Sequence, residues 1–283
     1  MIEQSARIRE LENKALEIRK DIIKLAGYAR EGHAAPAFSI VEIMTALYFH
    51  RLNLDPENPY WENRDRFILS KGHAVLALYV SLYHAGFIDR EKLYTYLQPG
   101  TELAGHPIRG KEVPGVEAST GSLGHGFSVA AGFALAAKMD KKSCHTFAVI
   151  GDGECNEGSV WETAMVAAHH ELDNMTAILD RNHYQCDGYS EVILKLAPLD
   201  VKWKGFGWEV RTCDGHNMSE LIQLLDQVPF TPGKPSLILA NTIKGKGVPF
   251  MENSDDWHYR TPLDDDLKSA LEILAAQDDS CGN

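Results

Sequence analysis

Hydrophobic positions near the start of the chain follow a helical spacing. Apolar residues recur at steps of three and four residues, at Ile8, Leu11, Ala15, Ile18, Ile22 and Leu25. This spacing puts the apolar side chains on one face and predicts an amphipathic helix. Further along, Ser39 and Glu42 form a capping-box pattern, which predicts a second helix that extends to about His50.

The middle of the chain combines helical stretches with an irregular segment. Residues 71–86 form an apolar stretch that predicts another helix. Residues 98–124 are rich in glycine and proline, which is typical of irregular structure. From Gly124 onward, glycine and alanine recur at helical spacing, so we expect a helix that packs closely against a neighbour.

The second half alternates between short apolar runs and helical patterns. Strands are predicted at 146–150, 175–180, 207–212 and 236–242. Helices are predicted between them, at about 157–171, 198–205 and 217–228, the last with Asn217 and Glu220 as a capping box. Such alternation predicts the α/β class, with a largely parallel sheet that carries helices on both faces. The simplest division is one α/β domain over residues 1–245 and an irregular extension over 246–283, which carries His258 and ends in a polar tail.

Composition narrows the classes of function. The 283 residues carry a formal net charge of −12, which argues against nucleic acid or an anionic membrane surface as the main partner. No apolar run is long enough for a membrane span, and the charged N-terminus lacks the apolar core of a signal peptide. Five scattered cysteines without a CxxC pair favour reduced thiols in the cytoplasm over a disulfide framework or a zinc site.

A glycine-rich turn with an acid at its centre follows the first predicted strand of the second half. Gly151 and Gly153 would let the backbone approach a phosphate, but Asp152 between them would repel it. A divalent cation between the two groups removes this conflict, because Mg²⁺ binds carboxylate and phosphate oxygens together. Asn182 follows the next predicted strand, 28 residues after the turn, and could supply a second ligand together with the carbonyl of Tyr184. The alternative is a simple turn and a loop asparagine, but the two features together favour a metal-diphosphate site.

This pairing of Gly-Asp-Gly with a spaced asparagine resembles the thiamine diphosphate fingerprint. Further segments look like those of the transketolase family, and the resemblance runs from about residue 10 to residue 263. The segments are GHAAPAFSIVEIMTALYF at 32–49, DRFILSKGHAVLALY at 65–79, AGHP at 104–107, STGSLGHG at 119–126 and IKGKGVPFMENSDDWH at 243–258. The resemblance implies the thiamine diphosphate-binding fold of the diphosphate-domain type.

The resemblance also implies a set of cofactor residues. Asp152, Asn182 and the Tyr184 carbonyl would hold Mg²⁺, or another divalent cation such as Ca²⁺ or Mn²⁺, against thiamine diphosphate. The backbone of Gly153 would meet the diphosphate, and Gly121, Ser122 and Leu123 would form the loop against the aminopyrimidine ring. Glu157 matches a glutamate that links the cofactor sites across the dimer. An acid favoured at the start of a helix is an equally good interpretation of Glu157.

Four histidines lie inside the matching motifs at the positions of active-site residues: His33, His73, His106 and His258. Histidine suits sugar chemistry because both of its protonation states are accessible near neutral pH. The resemblance gives His73 and His258 contacts with the cofactor as well. The chain departs from the family's GHPGG pattern at Gly32-His33-Ala34-Ala35-Pro36, so the loop beside His33 should differ in shape.

The chain ends soon after the diphosphate domain, whereas transketolases continue into a pyrimidine-binding and a C-terminal domain. The sequence is therefore interpreted as the N-terminal subunit of a two-chain transketolase, which transfers a two-carbon ketol unit from a ketose phosphate to an aldose. The expected partner is a separately encoded C-terminal subunit, in a heterotetramer. Alternatives are a deoxyxylulose-phosphate synthase-like enzyme, an oxo-acid dehydrogenase component, or a non-catalytic cofactor-binding or regulatory subunit. The short chain argues against the first and the four histidines against the second.

Overall fold

A parallel β-sheet lies at the centre of the computed structural model, which describes residues 2–277. Its strands in chain order are β1 Arg66–Leu69, β2 Thr146–Gly151, β3 Met175–Arg181, β6 Glu209–Asp214 and β7 Ser236–Asn241; Tyr184–Gln185 (β4) and Gly188–Tyr189 (β5) form a separate short hairpin. The five-stranded sheet has the order β1-β2-β3-β7-β6, and every neighbouring pair is parallel. All five strands therefore end at the same edge, where open α/β sheets bind their ligands.

Helices surround the sheet. They are α1 Ile2–Ala29, α2 Ala34–Phe38, α3 Val41–Ala46, α4 Val75–His84, α5 Arg90–Leu93, α6 His125–Met139, α7 Gly158–His169, α8 Ser190–Ile193, α9 Leu199–Gly205, α10 Met218–Leu225 and α11 Asp264–Ala276, with one π-helical turn at Leu47–Arg51. None of the helices within residues 2–277 is long and apolar enough to cross a membrane.

Successive side chains of the central strands point to opposite faces of the sheet and pack into two separate hydrophobic cores. Phe147 and Val149 of β2 face a core shared with α1 to α4, whereas Ala148 and Ile150 face one shared with α6, α7 and α9. A strand buried on both faces needs apolar residues at every position, which is why β2 appears in the sequence as a continuous apolar run. The predicted parallel sheet with helices on both faces is confirmed.

Most predicted elements lie close to their observed bounds, but β1 and the start of α3 differ from the predictions. β1 is not among the predicted strands; its four residues pair with β2 at the edge of the sheet. The capping-box prediction at Ser39 is wrong. The Ser39 hydroxyl donates to Asp180 and lies 2.9 Å from the Pro36 carbonyl, and α3 begins two residues later without a side-chain cap. At Asn217 half of the predicted capping box forms, since its side-chain oxygen accepts from the Glu220 N–H at 3.1 Å. The Glu220 carboxylate accepts instead from the Asn217 side-chain amide and from the Asp214 N–H.

The extension after residue 245 is not wholly irregular. It contains α11, which packs against α1, so the irregular structure predicted for this segment is wrong over these thirteen residues. The division of the chain at residue 245 stays a prediction. Of the predicted polar tail at 277–283, all but Gln277 lies outside the described residues.

Candidate functional site

Polar side chains from four segments meet at the edge of the sheet where the strands end. Lys71 follows β1, Asp152 follows β2, Asn182 follows β3 and Thr242 follows β7. All four are buried, although none is apolar. Buried polar groups need partners, so the contacts among these side chains decide what the edge can bind.

Asp152 is a buried carboxylate held by backbone donors. One of its oxygens accepts from the Gly153 N–H and the other from the His183 N–H, each at 2.9 Å, and the Ser190 hydroxyl donates at 3.3 Å. Burial and the negative charge of Asp180 nevertheless raise the pKa of Asp152 to about 7. A cation beside Asp152 would offset both effects, so this position suits a metal ligand.

Asp180 lies at the centre of a buried polar network. Lys71 donates to it at 2.5 Å, Ser39 at 2.8 Å, and the Thr242 hydroxyl makes a further short contact. Although burial acts to raise it, the charge of Lys71 and these hydrogen bonds hold the pKa of Asp180 below its usual range. Asp180 therefore stays ionised. From its position in β3 it binds the segments that follow β1 and β7.

The same carboxylate fixes the orientation of Asn182. The amide nitrogen of Asn182 donates to Asp180 at 2.9 Å, and its amide oxygen accepts from the Tyr184 N–H at 3.0 Å. This arrangement keeps the second lone pair of the amide oxygen available for a cation. Among residues 2–277 no three His, Cys, Asp or Glu side chains are grouped as metal ligands. The predicted set of one carboxylate, one amide oxygen and one backbone carbonyl is instead the oxygen-only kind that Mg²⁺ prefers.

The four predicted histidines lie together next to this edge. The ring centre of His33 is 5.9 Å from His73, 6.3 Å from His106 and 5.8 Å from His258. His73 and His258 are 5.5 Å apart. The fold thus brings residues from both ends of the chain into a single cluster.

Electrostatics keep three of these rings neutral near pH 7. Burial, together with the charge of Lys244 and smaller effects of His33 and Lys71, lowers the pKa of His258 to about 3. Burial and His106 lower the pKa of His33, and burial and Lys71 hold that of His73 well below its usual value. A neutral imidazole offers one donor and one acceptor, which suits sugar hydroxyl groups.

A cavity of about 390 Å³ joins the histidines to the strand ends. The predicted site residues that line it are His33, His73, His106, Gly121, Leu123, Asp152, Gly153, Glu157, Asn182, Tyr184 and His258. Ser122 does not line the cavity; its side chain is exposed and its carbonyl accepts from the His125 N–H. Glu157 is exposed where α7 begins and makes no capping hydrogen bond there.

Two buried polar atoms on the cavity wall have no hydrogen-bond partner among the described residues. They are Nε2 of Gln185 and Nδ1 of His258. Leaving such atoms unpaired costs about 1–3 kcal/mol each, so we interpret them as contacts for a bound molecule. No motif in the sequence points to Gln185.

Glu154 is a further structural residue that the sequence did not reveal. Its carboxylate accepts from the Ser70 hydroxyl, from the Gly124 N–H at 2.8 Å and from the Gly151 N–H at 3.1 Å. It thereby joins the loop at 121–124 to the Gly-Asp-Gly turn. Gly121 in that loop has a φ of +150°, and a Cβ added there would lie 3.2 Å from the His106 ring, so a side chain would be strained and crowded.

Lys244 adds a buried positive charge close to the cavity. Its ammonium group lies 5.4 Å from the Tyr184 ring centre and 3.4 Å from the Gln185 carbonyl. Burial lowers its pKa to about 8. A buried cation beside unpaired donors favours an anionic ligand at this end of the cavity.

Known proteins with similar sequences are transketolases or transketolase subunits. Residues 13–280 match the family model described as "Transketolase, thiamine diphosphate binding domain". An apulose-4-phosphate transketolase subunit of Phocaeicola vulgatus is 41% identical over 264 residues, which cover 93% of each chain. The 6-deoxy-6-sulfo-D-fructose transketolase subunit SqwG of a Clostridium species is 43% identical over 94% of this chain and 96% of its own.

Solved structures show the same fold. Transketolase from Campylobacter jejuni superposes with a TM-score of 0.84 at 30% identity, over 95% of this chain and 42% of the other. Transketolase from Leishmania mexicana gives a TM-score of 0.85 at 24% identity, over 96% of this chain and 45% of the other, and supports the fold alone. The chain thus spans less than half the length of these solved enzymes, but nearly the whole length of the relatives named as subunits.

Proposed function

Because the chain belongs to the transketolase family, we propose that it is the thiamine diphosphate-binding subunit of a two-chain transketolase. The proposed enzyme transfers a two-carbon ketol unit from a ketose phosphate to an aldose. The observation that carries this proposal is the cavity in which four histidines face the Asp152–Asn182 edge of the sheet. The relatives named as subunits, which have nearly the same extent, support the two-chain form.

The residues at the strand ends fit a magnesium-bound diphosphate. Asp152 would provide a carboxylate oxygen, Asn182 an amide oxygen and Tyr184 its backbone carbonyl. Ca²⁺ or Mn²⁺ would suit the same ligands. The backbone of Gly153, the unpaired amide of Gln185 and the charge of Lys244 would meet the diphosphate oxygens.

The remaining walls would position the cofactor ring and the sugar. Thiamine diphosphate, when bound, supplies the carbon nucleophile that ketol transfer requires. Gly121 and Leu123 would lie against its aminopyrimidine ring, with Ser122 contributing only backbone. His73 and His258 would contact both cofactor and substrate.

His33 and His106 would hold the sugar hydroxyl groups. An imidazole in its neutral form can accept a proton at one nitrogen while donating from the other, which is what the interconversion of alcohol and carbonyl needs. Glu157 at the cavity rim would link this site to its counterpart across the dimer.

The other half of the site would come from a separately encoded C-terminal polypeptide with pyrimidine-binding and C-terminal domains. Two copies of each chain would form a heterotetramer with two sites. The described cysteines at 144, 155, 186 and 213 are free thiols, which fits a cytoplasmic enzyme.

Reconstitution tests the proposed function. The chain is combined with its candidate C-terminal subunit, thiamine diphosphate and Mg²⁺, and ketol transfer is measured with a panel of ketose phosphate donors and aldose acceptors. We expect transfer from at least one donor, lost on omission of the cofactor or addition of EDTA. Failure with every donor, in a pair that assembles and binds the cofactor, would contradict the proposal.

A further inference from the structure

Tyr259 covers the solvent side of the histidine cluster. Its ring centre lies 5.2 Å from that of His33 and 4.7 Å from that of His258. Tyr259 is 62% exposed, whereas His258 is only 7% exposed. The exposed tyrosine ring therefore lies on the wall of the cavity, on the solvent side of the buried His258 and beside the half-buried His33.

The hydroxyl group of Tyr259 reaches a second segment of the same wall. It contacts the sulfur of Cys186, a free and half-buried thiol in the turn between β4 and β5. The two residues are 73 positions apart in the chain, and both line the cavity. Their contact thus bridges the hairpin that follows the Asn182 segment and the loop that carries His258.

We propose that the Tyr259–Cys186 bridge sets the length of the sugar that the enzyme accepts, favouring five-carbon ketose phosphates over unbranched seven-carbon ones. This inference rests on the proposed function. Carbons of a ketose beyond those held by His33 and His258 have to pass the outer side of the cluster. The tyrosine ring already occupies part of that space.

A bridge of this kind discriminates by exclusion. Each extra carbon of a longer ketose would have to share this space with the ring and the sulfur, unless the bridge opens. One misfitted methylene in a rigid pocket changes kcat/KM by about 10–200-fold.

Variants of Tyr259 test the inference in the reconstituted enzyme. The measured quantity is the ratio of kcat/KM for an unbranched seven-carbon ketose phosphate to that for a five-carbon one, with one aldose acceptor. Tyr259→Gly should raise this ratio by about tenfold or more, whereas Tyr259→Phe, which keeps the ring, should raise it far less. Tyr60→Gly is the matched control, because Tyr60 is also 62% exposed but lies away from this cavity. A ratio for Tyr259→Gly within twofold of the wild type would overturn the inference.

A second measurement does not need ketol transfer. The rate of Cys186 alkylation by iodoacetamide is followed by peptide mass spectrometry in the chain alone, with the buried Cys144, Cys155 and Cys213 as internal controls. Tyr259→Gly should increase the rate at Cys186 several-fold and leave the three controls unchanged. Equal rates at Cys186 in variant and wild type would show that no bridge exists. A wild-type pair that transfers no ketol unit counts against the proposed function, and the alkylation rates still decide the bridge.

Discussion

At the residue scale, Asp152 combines burial with a neighbouring carboxylate, and its ionisation should therefore destabilise the metal-free chain. Between the ordinary pKa of 3.8 and about 7, the folded chain binds a proton that the unfolded chain has released. The free energy of unfolding should then fall as pH rises through this window, by a contribution on the order of a few kcal/mol. Asp152→Asn should remove that contribution and be more stable than the wild type at pH 8. Urea denaturation of both metal-free proteins between pH 4 and pH 8 measures it, and parallel pH profiles would contradict it.

The same residue should control cofactor binding. Asp152→Asn and Asp152→Ala lack the charged ligand, so we expect the magnesium-dependent affinity for thiamine diphosphate to be abolished while the fold is kept. Calorimetry with and without Mg²⁺ measures this affinity. Asp140→Asn, an exposed aspartate at the end of α6, is the control and should bind as the wild type does. Unchanged affinity in the Asp152 variants would remove the metal-ligand assignment.

The histidines should act on turnover more than on cofactor affinity. His33→Ala and His258→Ala remove neutral rings that face the sugar, and loss of a positioned acid or base costs about 10²–10⁴-fold in rate. Steady-state kinetics with the C-terminal partner gives the rate, and calorimetry gives the cofactor affinity. His169→Ala on the exposed surface of α7 is the control. Near-normal turnover in both cluster variants would exclude the proposed role.

Motifs in the sequence are enough to predict that the four histidines, Asp152 and Asn182 lie in one cavity, because each of these residues belongs to a recognisable local pattern. Lys71, Asp180 and Glu154 escape prediction, because their importance comes from contacts between distant segments. The Lys71–Asp180 pair, for example, joins positions 109 residues apart. The prediction of a capping box at Ser39 is wrong for the same reason. The Ser39 hydroxyl has a long-range partner, Asp180, that the local sequence pattern cannot reveal.

At the scale of elements, close packing of α6 should make its two interior glycines respond oppositely to alanine. A Cβ at Gly126 would lie 2.8 Å from the α-carbon of Ser70, whose side chain holds Glu154. Gly126→Ala should therefore destabilise the protein by about 1–3 kcal/mol. Gly132 has no atom within 4 Å of such a Cβ, so Gly132→Ala should stabilise it by about 0.5–1 kcal/mol. Urea denaturation of both variants measures the difference, and shifts of the same sign would show that α6 does not pack this tightly.

Sequence patterns predict some elements better than others. β2, β3 and β7 are buried along their length, so their apolar runs stand out against the polar loops. β1 has only four residues, and it is recognisable as a strand only through its pairing with β2. α11 packs on α1, where its Leu267 lies against Gly27. A helix stabilised by such a tertiary contact is hard to predict from the sequence of the helix alone.

At the scale of the whole molecule, several large apolar side chains lie exposed on neighbouring elements. Val129 of α6 and Met165 and Val166 of α7 are exposed on two helices that pack together, and residues 192–194 are also apolar and exposed. Surfaces of this kind often mark protein–protein contacts. They agree with the proposal that this chain works in an assembly.

The last prediction concerns the lone chain. It should bind thiamine diphosphate and Mg²⁺ only through the strand-end residues, because the pyrimidine-binding domain of the proposed enzyme lies in another polypeptide. Without that domain the aminopyrimidine ring would be contacted only by the loop at 121–124, so we expect no ketol transfer by the purified chain. Addition of the C-terminal subunit should restore activity and produce a heterotetramer, since symmetric assembly is the common way to cover such surfaces. Size-exclusion chromatography with light scattering and a parallel activity assay measure both properties. Full ketol transfer by this polypeptide alone would show that the two-chain proposal is wrong, and an active one-to-one heterodimer would exclude the tetramer.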